Sequence, residues 1–153
     1  YHQMNKVFFN ELKLENPDIY LDDKGESQIE VIADIMLKFE KELTNYNPVI
    51  VLVPGDVNSS LACALVASRN GIKVGHIESG LRSFDRKMPE EINRILIDDL
   101  SDFFFVTEQS GIDHLIKEGK ETNQIQLVGN TMIDKLVNFN NSIQHNKILK
   151  KIK

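Results

Sequence analysis

The sequence has 153 residues, of which 41% are hydrophobic and 27% are charged, a composition that suits one globular domain with its own core. Its net charge of −5 offers no basic surface to nucleic acid, and no apolar run approaches the roughly 18 to 20 residues that cross a bilayer. The single cysteine, Cys63, excludes an intramolecular disulfide and predicts a reducing compartment, the cytoplasm.

The apolar pattern predicts helices and strands that alternate along the chain. Residues 49–53 are continuously apolar, which is typical of a strand covered on both faces in a parallel sheet. In chain order, helices are predicted at 1–14, 26–46, 59–69, 89–100 and 108–118, and a further helix is predicted to start over 131–137. Strands are predicted at 19–21, 49–53, 72–77, 103–106 and 125–128. This alternation predicts βαβ units, an α/β fold class and a Rossmann-like parallel sheet flanked by helices.

Three carboxylates stand at the ends or starts of these elements. Asp56 follows the strand at 49–53, Glu78 follows the strand at 72–77, and Glu90 opens a helix behind a short polar loop. Because parallel strands deliver their carboxyl ends to one edge of the sheet, where ligands bind, these acids are predicted to meet over one pocket.

Each acid also has an interpretation without function. Asp56 is placed to cap the helix that follows it. Glu78 is placed to form a structural ion pair with Arg82 or Arg94. Its functional alternative is an acid whose pKa is shifted by neighbours and burial, ready for proton transfer. Glu90 lies in a first helical turn, where the helix dipole favours any carboxylate.

Other reactive side chains carry structural interpretations. His76 is predicted to be a hydrogen-bonded, half-buried strand residue, His114 a surface residue, and Cys63 a small core residue of an Ala-rich helix. No spacing resembles a zinc or calcium site, and no Gly-rich nucleotide loop or nucleophile elbow is present. No metal ion is therefore predicted.

Four motifs occur in a characteristic order: VPGD at 53–56, HIESGLRS at 76–83, MPEEINR at 88–94 and VGNTMID at 128–134. Together they closely resemble the non-hydrolysing UDP-N-acetylglucosamine 2-epimerases over nearly the whole chain. The second and third motifs are specific, since the hydrolysing relatives depart from them. Ser79 stands where the family more often has Ala.

The resemblance implies one half of a glycosyltransferase-B-like fold with two Rossmann-like domains. It implies that residues 1–136 are an N-terminal domain without its first strand or strands, and that residues 137–153 cross toward a second domain. A break is predicted at 140–142, and the lack of an initiating Met also predicts a piece of a longer protein. The family's catalytic His belongs to the second domain and matches none of the four His residues here.

The resemblance also implies a reaction, the interconversion of UDP-GlcNAc and UDP-ManNAc by elimination of UDP and its re-addition with inverted C2. By position, Asp56, Glu78 and Glu90 match the family's acid and base carboxylates, and which one is the base stays open. Asp56, Glu78, Arg82 and Arg94 are expected to bind substrate, with the two arginines orienting the acids. No cofactor is implied.

The parent protein is expected to be a homodimeric cytoplasmic isomerase that serves surface polysaccharide or cell-wall precursor synthesis, with no nucleic-acid or membrane partner. This chain alone is expected to be inactive because half of the cleft is absent. Two alternatives stay open: a hydrolysing UDP-GlcNAc 2-epimerase, and a non-catalytic domain that binds a sugar nucleotide.

Overall fold

The computed structural model describes residues 15–21 and 25–143, with side chains up to residue 137. Helices and strands alternate along this part of the chain. In order they are α1 (Gln28–Tyr46), β1 (Ile50–Pro54), α2 (Asn58–Arg69), β2 (Lys73–Ile77), α3 (Pro89–Leu100), β3 (Phe103–Val106), α4 (Gln109–Lys117), a 3₁₀ turn (Thr122–Gln124), β4 (Ile125–Leu127) and α5 (Thr131–Ile143).

The four strands form one parallel sheet in the order β1-β2-β3-β4. Each connection between neighbouring strands contains a helix, as parallel pairing requires. The register pairs Val53 with His76 and His76 with Phe104, so the carboxyl ends of β1, β2 and β3 lie side by side. The predicted α/β class with a parallel sheet flanked by helices is confirmed.

Two apolar clusters hold the helices to the sheet. The larger one joins Leu43 of α1, Val53 of β1, Ala64 of α2, Val74 of β2 and Ile97 of α3. Cys63 packs at its border, and burial raises the pKa of its thiol to about 11, which agrees with a core role. The smaller cluster forms where α4 packs on β3 and β4, and it consists of Phe104, Val106, Leu115 and Ile125.

Helix α1 begins two residues later than predicted because a capping box precedes it. Ser27 Oγ accepts a hydrogen bond from Glu30 N at 3.2 Å, and Glu30 Oε2 accepts one from Ser27 N at 2.9 Å. The helix ends at Tyr46, and its C-cap Asn47 has a left-handed φ of 43°, which Asn tolerates. Both boundaries follow from local side-chain chemistry.

Two local predictions were wrong, and one lies outside the described residues. Residues 19–21 form no strand; they run beside α1 along an apolar hollow of about 520 Å³ that also contacts Phe39 and Val51. Helix α5 continues through the break predicted at 140–142, because Asn and Ser weaken a helix without stopping it as Pro would. The helix predicted at 1–14 is not among the described residues, and the domain boundary after 136 stays a prediction.

None of the helices in residues 15–21 and 25–143 combines the length and the apolar character that crossing a membrane requires.

The loop after β2 packs against the start of α4 through two glycines. A Cβ added at Gly80, whose φ is +77°, would lie 2.4 Å from the carbonyl oxygen of Gly111. A Cβ at Gly111 would lie 2.6 Å from Val106 Cγ1 and 3.2 Å from the carbonyl oxygen of Ser79. Backbone therefore contacts backbone here, which brings the carboxyl end of β2 close to α4.

We expect Gly80→Ala to destabilise the protein by about 2–5 kcal/mol in denaturant unfolding. A left-handed non-glycine residue costs roughly 1–2 kcal/mol, and overpacking against Gly111 adds about 1–3 kcal/mol. Gly71→Ala is the matched control, because Gly71 has a φ of +71° with no heavy atom within 4 Å of an added Cβ. Equal losses of unfolding free energy in the two variants would show that the close contact with Gly111 does not contribute to the cost of Gly80→Ala.

Candidate functional site

The backbone turns at the ends of β1 and β2 present Asp56 and Glu78 at one level of the sheet edge. Gly55 has a φ of +62° and donates its N–H to the Ile77 carbonyl at 2.9 Å. Glu78 itself has a φ of +69° and donates its N–H to the Phe105 carbonyl at 3.0 Å. The hydrogen-bond ladder thus continues past the strand ends and places both acids at the carboxyl edge.

Asp56 and Glu90 line the same cleft, which has a volume of about 380 Å³. Asn93 joins α3 to the turn between β1 and α2, because its Nδ2 donates to the Asp56 carbonyl at 2.9 Å and to Asn58 Oδ1 at 3.0 Å. The cleft is lined by Gln28, Val31, Ile35, Asp56, Val57, Asn58, Ser59, Pro89, Glu90 and Asn93. Two of the three acids singled out from the sequence therefore face one pocket.

Glu78 lies beside this cleft rather than in its wall. Its Oε2 is 3.8 Å from the position that a Cβ at Gly55 would occupy, so the carboxylate lies against the turn that carries Asp56. The expected structural ion pair with Arg82 or Arg94 is not formed among the described residues, since both guanidinium groups bind other acids. The partly buried Glu78 carboxylate has no hydrogen bond or ion pair within the described part of the chain.

The Asp56 side chain pairs with Arg94 of α3 instead of capping α2. The residue at the N-cap position of α2 is Val57, and no side chain caps that helix start. Arg94 also lies 3.8 Å from Glu91, measured from Nη1 to Oε2. The helix-cap interpretation of Asp56 is therefore wrong, and its carboxylate is held by a guanidinium at the edge of the cleft.

Arg82 is engaged in a buried ion-pair network. Its side chain is 2% exposed; Nη2 lies 2.7 Å from Asp98 Oδ2 and 2.6 Å from Glu118 Oε2, and Nε donates to Glu118 Oε1 at 2.9 Å. Burial opposes the charge, but the hydrogen bonds and charges of Glu118 and Asp98 outweigh it and raise the arginine pKa. A substrate-binding role for Arg82 stays a prediction, and the geometry favours a positioning role.

Glu91 was not singled out from the sequence, but its buried carboxylate acts as a clamp that holds the backbone at Ser83 and Phe84. Its Oε2 accepts from Ser83 N at 2.8 Å and Ser83 Oγ at 3.0 Å, and its Oε1 accepts from Phe84 N at 3.1 Å. Burial raises the pKa of this carboxyl, but the hydrogen bonds from Ser83 and Phe84 outweigh it, so the pKa is lowered. Glu91 thereby fixes the loop between β2 and α3.

Helical phase is the signal that could have identified Glu91. Adjacent helical residues point about 100° apart, so Glu90 and Glu91 cannot both face the cleft. Glu91 and Asp98 are seven residues apart on one face of α3, and they are 2% and 1% exposed. Glu90, by contrast, is exposed.

The prediction for His76 is confirmed in its hydrogen bonding but not in its burial, and the surface position predicted for His114 is wrong. His76 is hydrogen-bonded at both ring nitrogens, as expected, but it is fully buried rather than half-buried. His114 was predicted to lie on the surface, and it is partly buried with Nδ1 2.9 Å from the Gly80 carbonyl. Its ring also meets the edge of Phe84 at a centroid distance of 5.2 Å. Within residues 15–21 and 25–143, no group of three or more His, Cys, Asp or Glu side chains could hold a metal ion.

Comparison with known proteins gives this geometry a context. The family model described as UDP-N-acetylglucosamine 2-epimerase matches residues 1–153. The chain is 47% identical over 131 residues to the UDP-N-acetylglucosamine 2-epimerase of Methanococcus maripaludis, an alignment that covers 86% of this chain and 36% of the relative. It is 41% identical over 138 residues to the UDP-2,3-diacetamido-2,3-dideoxy-D-glucuronate 2-epimerase of Pseudomonas aeruginosa, covering 89% and 39%.

The fold is also similar to solved structures. The UDP-GlcNAc 2-epimerase of Methanocaldococcus jannaschii, in complex with UDP-GlcNAc and UDP, matches with a TM-score of 0.90 and 40% sequence identity. That match covers 97% of this chain and 41% of the solved chain. The chain thus spans well under half the length of the proteins that it resembles.

Ser79→Ala is expected to raise the stability of the protein by about 1 kcal/mol, because it removes a buried polar atom that lacks a partner. Ser79 is fully buried, and its Oγ has no hydrogen-bond partner within the described part of the chain. The matched control is Ser60→Ala: Ser60 is 5% exposed, and its Oγ donates to the Pro54 carbonyl at 2.5 Å. The thermal unfolding temperature should rise for Ser79→Ala and fall for Ser60→Ala. A lower unfolding temperature for Ser79→Ala would contradict the prediction that its hydroxyl is a buried group without a partner.

Glu91→Gln should lower stability by about 1.5–3 kcal/mol at pH 7, because the amide has a single acceptor oxygen and its NH2 group would face one set of the Ser83 and Phe84 donors. Glu91 has a lowered pKa in the folded state, so its ionised form contributes stability above the unfolded value of about 4.3. That contribution disappears as the pH falls through the folded pKa.

Unfolding curves recorded from pH 7 downward should therefore converge for wild type and Glu91→Gln in acid. The exposed neighbour provides the control, since Glu90→Gln should leave the curve nearly unchanged. A gap between wild type and Glu91→Gln that stays constant at all pH values would contradict the assignment of Glu91 as an ionised clamp.

Proposed function

Because the chain belongs to the UDP-N-acetylglucosamine 2-epimerase family, we propose that the protein containing it interconverts UDP-GlcNAc and UDP-ManNAc. The observation that supports this most is the shared cleft of Asp56 and Glu90, with the Glu78 carboxylate against the adjoining turn. Two carboxylates line a space suited to a sugar, and the third lies beside it against the turn that carries Asp56.

The proposed reaction needs a base and an acid on opposite faces of the sugar ring. A base removes the C2 proton while the bond from C1 to UDP breaks, leaving an enzyme-bound 2-acetamidoglucal. UDP then adds back, and an acid delivers a proton to the opposite face of C2. A weakly acidic C–H bond demands a positioned base for this step.

The acids have the unlike surroundings that such a division of roles requires. Asp56 contacts the Arg94 guanidinium, whereas Glu90 is exposed in the first turn of α3. Glu78 differs from both, because it is partly buried and its carboxylate has no hydrogen bond or ion pair in the described part of the chain. Arg94 is proposed to orient Asp56, and Asp56, Glu78 and Arg94 are proposed to contact the substrate.

The rest of the cleft suits an acetamido sugar. The amide groups of Gln28, Asn58 and Asn93 bond to one another along the cleft and offer a ligand only their remaining donors and acceptors. The side chains of Val31 and Ile35 offer apolar contact. Ligand clefts commonly combine a mainly apolar wall with a few placed polar groups.

The two curated relatives support placing the C2 chemistry in this part of the protein. Their names differ in the sugar but agree in the position that is epimerised, and both align with most of this chain. We propose that the remaining sequence of the natural protein holds most of the uridine and diphosphate contacts. The isolated 153-residue chain is then expected to turn over no substrate.

The proposal favours the non-hydrolysing reaction because HIESGLRS and MPEEINR are intact at 76–83 and 88–94. It includes a homodimer and a cytoplasmic location, the latter supported by the single cysteine of this chain. Formation of free UDP and N-acetylmannosamine instead of UDP-ManNAc would identify the hydrolysing reaction.

In the full-length protein, Asp56→Asn, Glu78→Gln and Glu90→Gln should each lower kcat by about 10²–10⁴-fold, the usual contribution of general acid–base catalysis. UDP-ManNAc formation and incorporation of solvent deuterium at C2 would be followed together. The control is Glu40→Gln. Glu40 is an exposed residue of α1 that lines a separate surface hollow together with Val66 and Arg69, away from the cleft.

Near-normal rates in all three variants would remove the catalytic assignment. Ligand binding by the wild-type protein without any deuterium exchange would instead support the non-catalytic binding domain.

A further inference from the structure

A buried polar cluster lies beneath the two turns that carry Asp56 and Glu78. It consists of His76 from β2, Asp98 from α3 and Arg82 from the loop between them. His76 is fully buried, Asp98 is 1% exposed and the Arg82 side chain is 2% exposed. None of these groups faces the cleft, and the proposed reaction uses none of them directly.

The imidazole of His76 bridges a side chain and a backbone carbonyl. Its Nδ1 lies 2.6 Å from Asp98 Oδ1, and its Nε2 lies 2.9 Å from the carbonyl oxygen of Gly55. A carbonyl oxygen can only accept, so Nε2 must carry a proton. Arg82 on the other oxygen of Asp98 favours the ionised carboxylate, so Nδ1 carries a proton as well.

Asp98 extends the bridge to the loop after β2. Its Oδ2 accepts from the Gly80 N–H at 3.2 Å and pairs with Arg82 Nη2 at 2.7 Å. Gly55 directly precedes Asp56, and Gly80 is two residues after Glu78. One buried carboxylate therefore connects the backbone of both acid-bearing turns, once directly and once through His76.

Stability alone does not account for this cluster. Burying charged groups is costly, and replacing a buried ion pair by apolar residues of similar volume is often neutral or stabilising. The parallel ladder already joins the two turns, because Gly55 N–H donates to the Ile77 carbonyl. What the cluster adds is a fixed orientation of the peptide that leads into Asp56.

We propose that His76, held by Asp98 with protons on both ring nitrogens, is a positioning residue that orients the Asp56 turn relative to the Glu78 loop for catalysis. The ring acts through the Gly55 carbonyl and touches no substrate. This role rests on the proposed epimerase function, whereas the protonation of the ring can be tested without it.

The first test is nitrogen-15 NMR of the histidine side chains in the full-length protein at pH 7.5, with His76 assigned by its loss in His76→Gln. Both ring nitrogens should show the shifts of protonated nitrogen. An unprotonated nitrogen would overturn the proposal even if the protein proves to be an active epimerase. Two protonated nitrogens in an inactive protein would place the failure in the proposed function instead.

The second test separates the two hydrogen bonds of the ring. An Asn amide nitrogen occupies about the place of Nδ1, so His76→Asn keeps the donor to Asp98 and loses the one to Gly55. A Gln amide nitrogen occupies about the place of Nε2, so His76→Gln keeps the donor to Gly55. We expect His76→Asn to lower kcat by about 10- to 100-fold with KM unchanged, since misplacement by roughly 1 Å can cost about 100-fold.

His76→Gln should lose clearly less kcat than His76→Asn. Val74→Ala controls for lost stability, because Val74 is fully buried two residues earlier on the same face of β2. At equal thermal stability, Val74→Ala should retain wild-type kcat. Equal kcat losses in His76→Asn and His76→Gln, or an equal loss in Val74→Ala, would reduce His76 to a structural residue.

Discussion

The organisation of the carboxyl edge depends on one constraint: a carboxylate that leaves water must find hydrogen-bond donors. Helix α3 buries two of them, Glu91 and Asp98, on the face that it turns toward the sheet. Glu91 takes its donors from the loop between β2 and α3, and Asp98 takes donors from that loop and from His76 of β2. The loop has little freedom as a result, because any other path would leave a buried charge uncompensated.

This constraint divides the acids near the carboxyl edge into two groups with different roles. Glu91 and Asp98 are fully engaged and hold backbone in place. Asp56 and Glu90 border an open cleft and retain access to a ligand. Neighbours in sequence fall into different groups, as Glu90 and Glu91 do, because a helix turns adjacent side chains about 100° apart.

Much of the fold was readable from local pattern. The limits predicted for the helix at Pro89–Leu100 and the strand at Phe103–Val106 agree with the structure, and most others lie within two residues. Local reasoning failed where its signal was weak. A three-residue apolar stretch at 19–21 cannot show whether a neighbouring strand exists, and Asn and Ser at 140–142 lower helix propensity without blocking a helix.

The sequence by itself determined the α/β alternation and the location of Asp56 and Glu78 at strand ends, because periodicity and chain order are local properties. Only the tertiary structure decided which charges meet. Arg82 and Arg94 have the same chemistry and stand in the same stretch, yet Arg94 binds Asp56, 38 residues away, and Arg82 binds Glu118, 36 residues away. Spacing along the chain cannot distinguish these pairings, since each depends on how a helix is placed against the sheet.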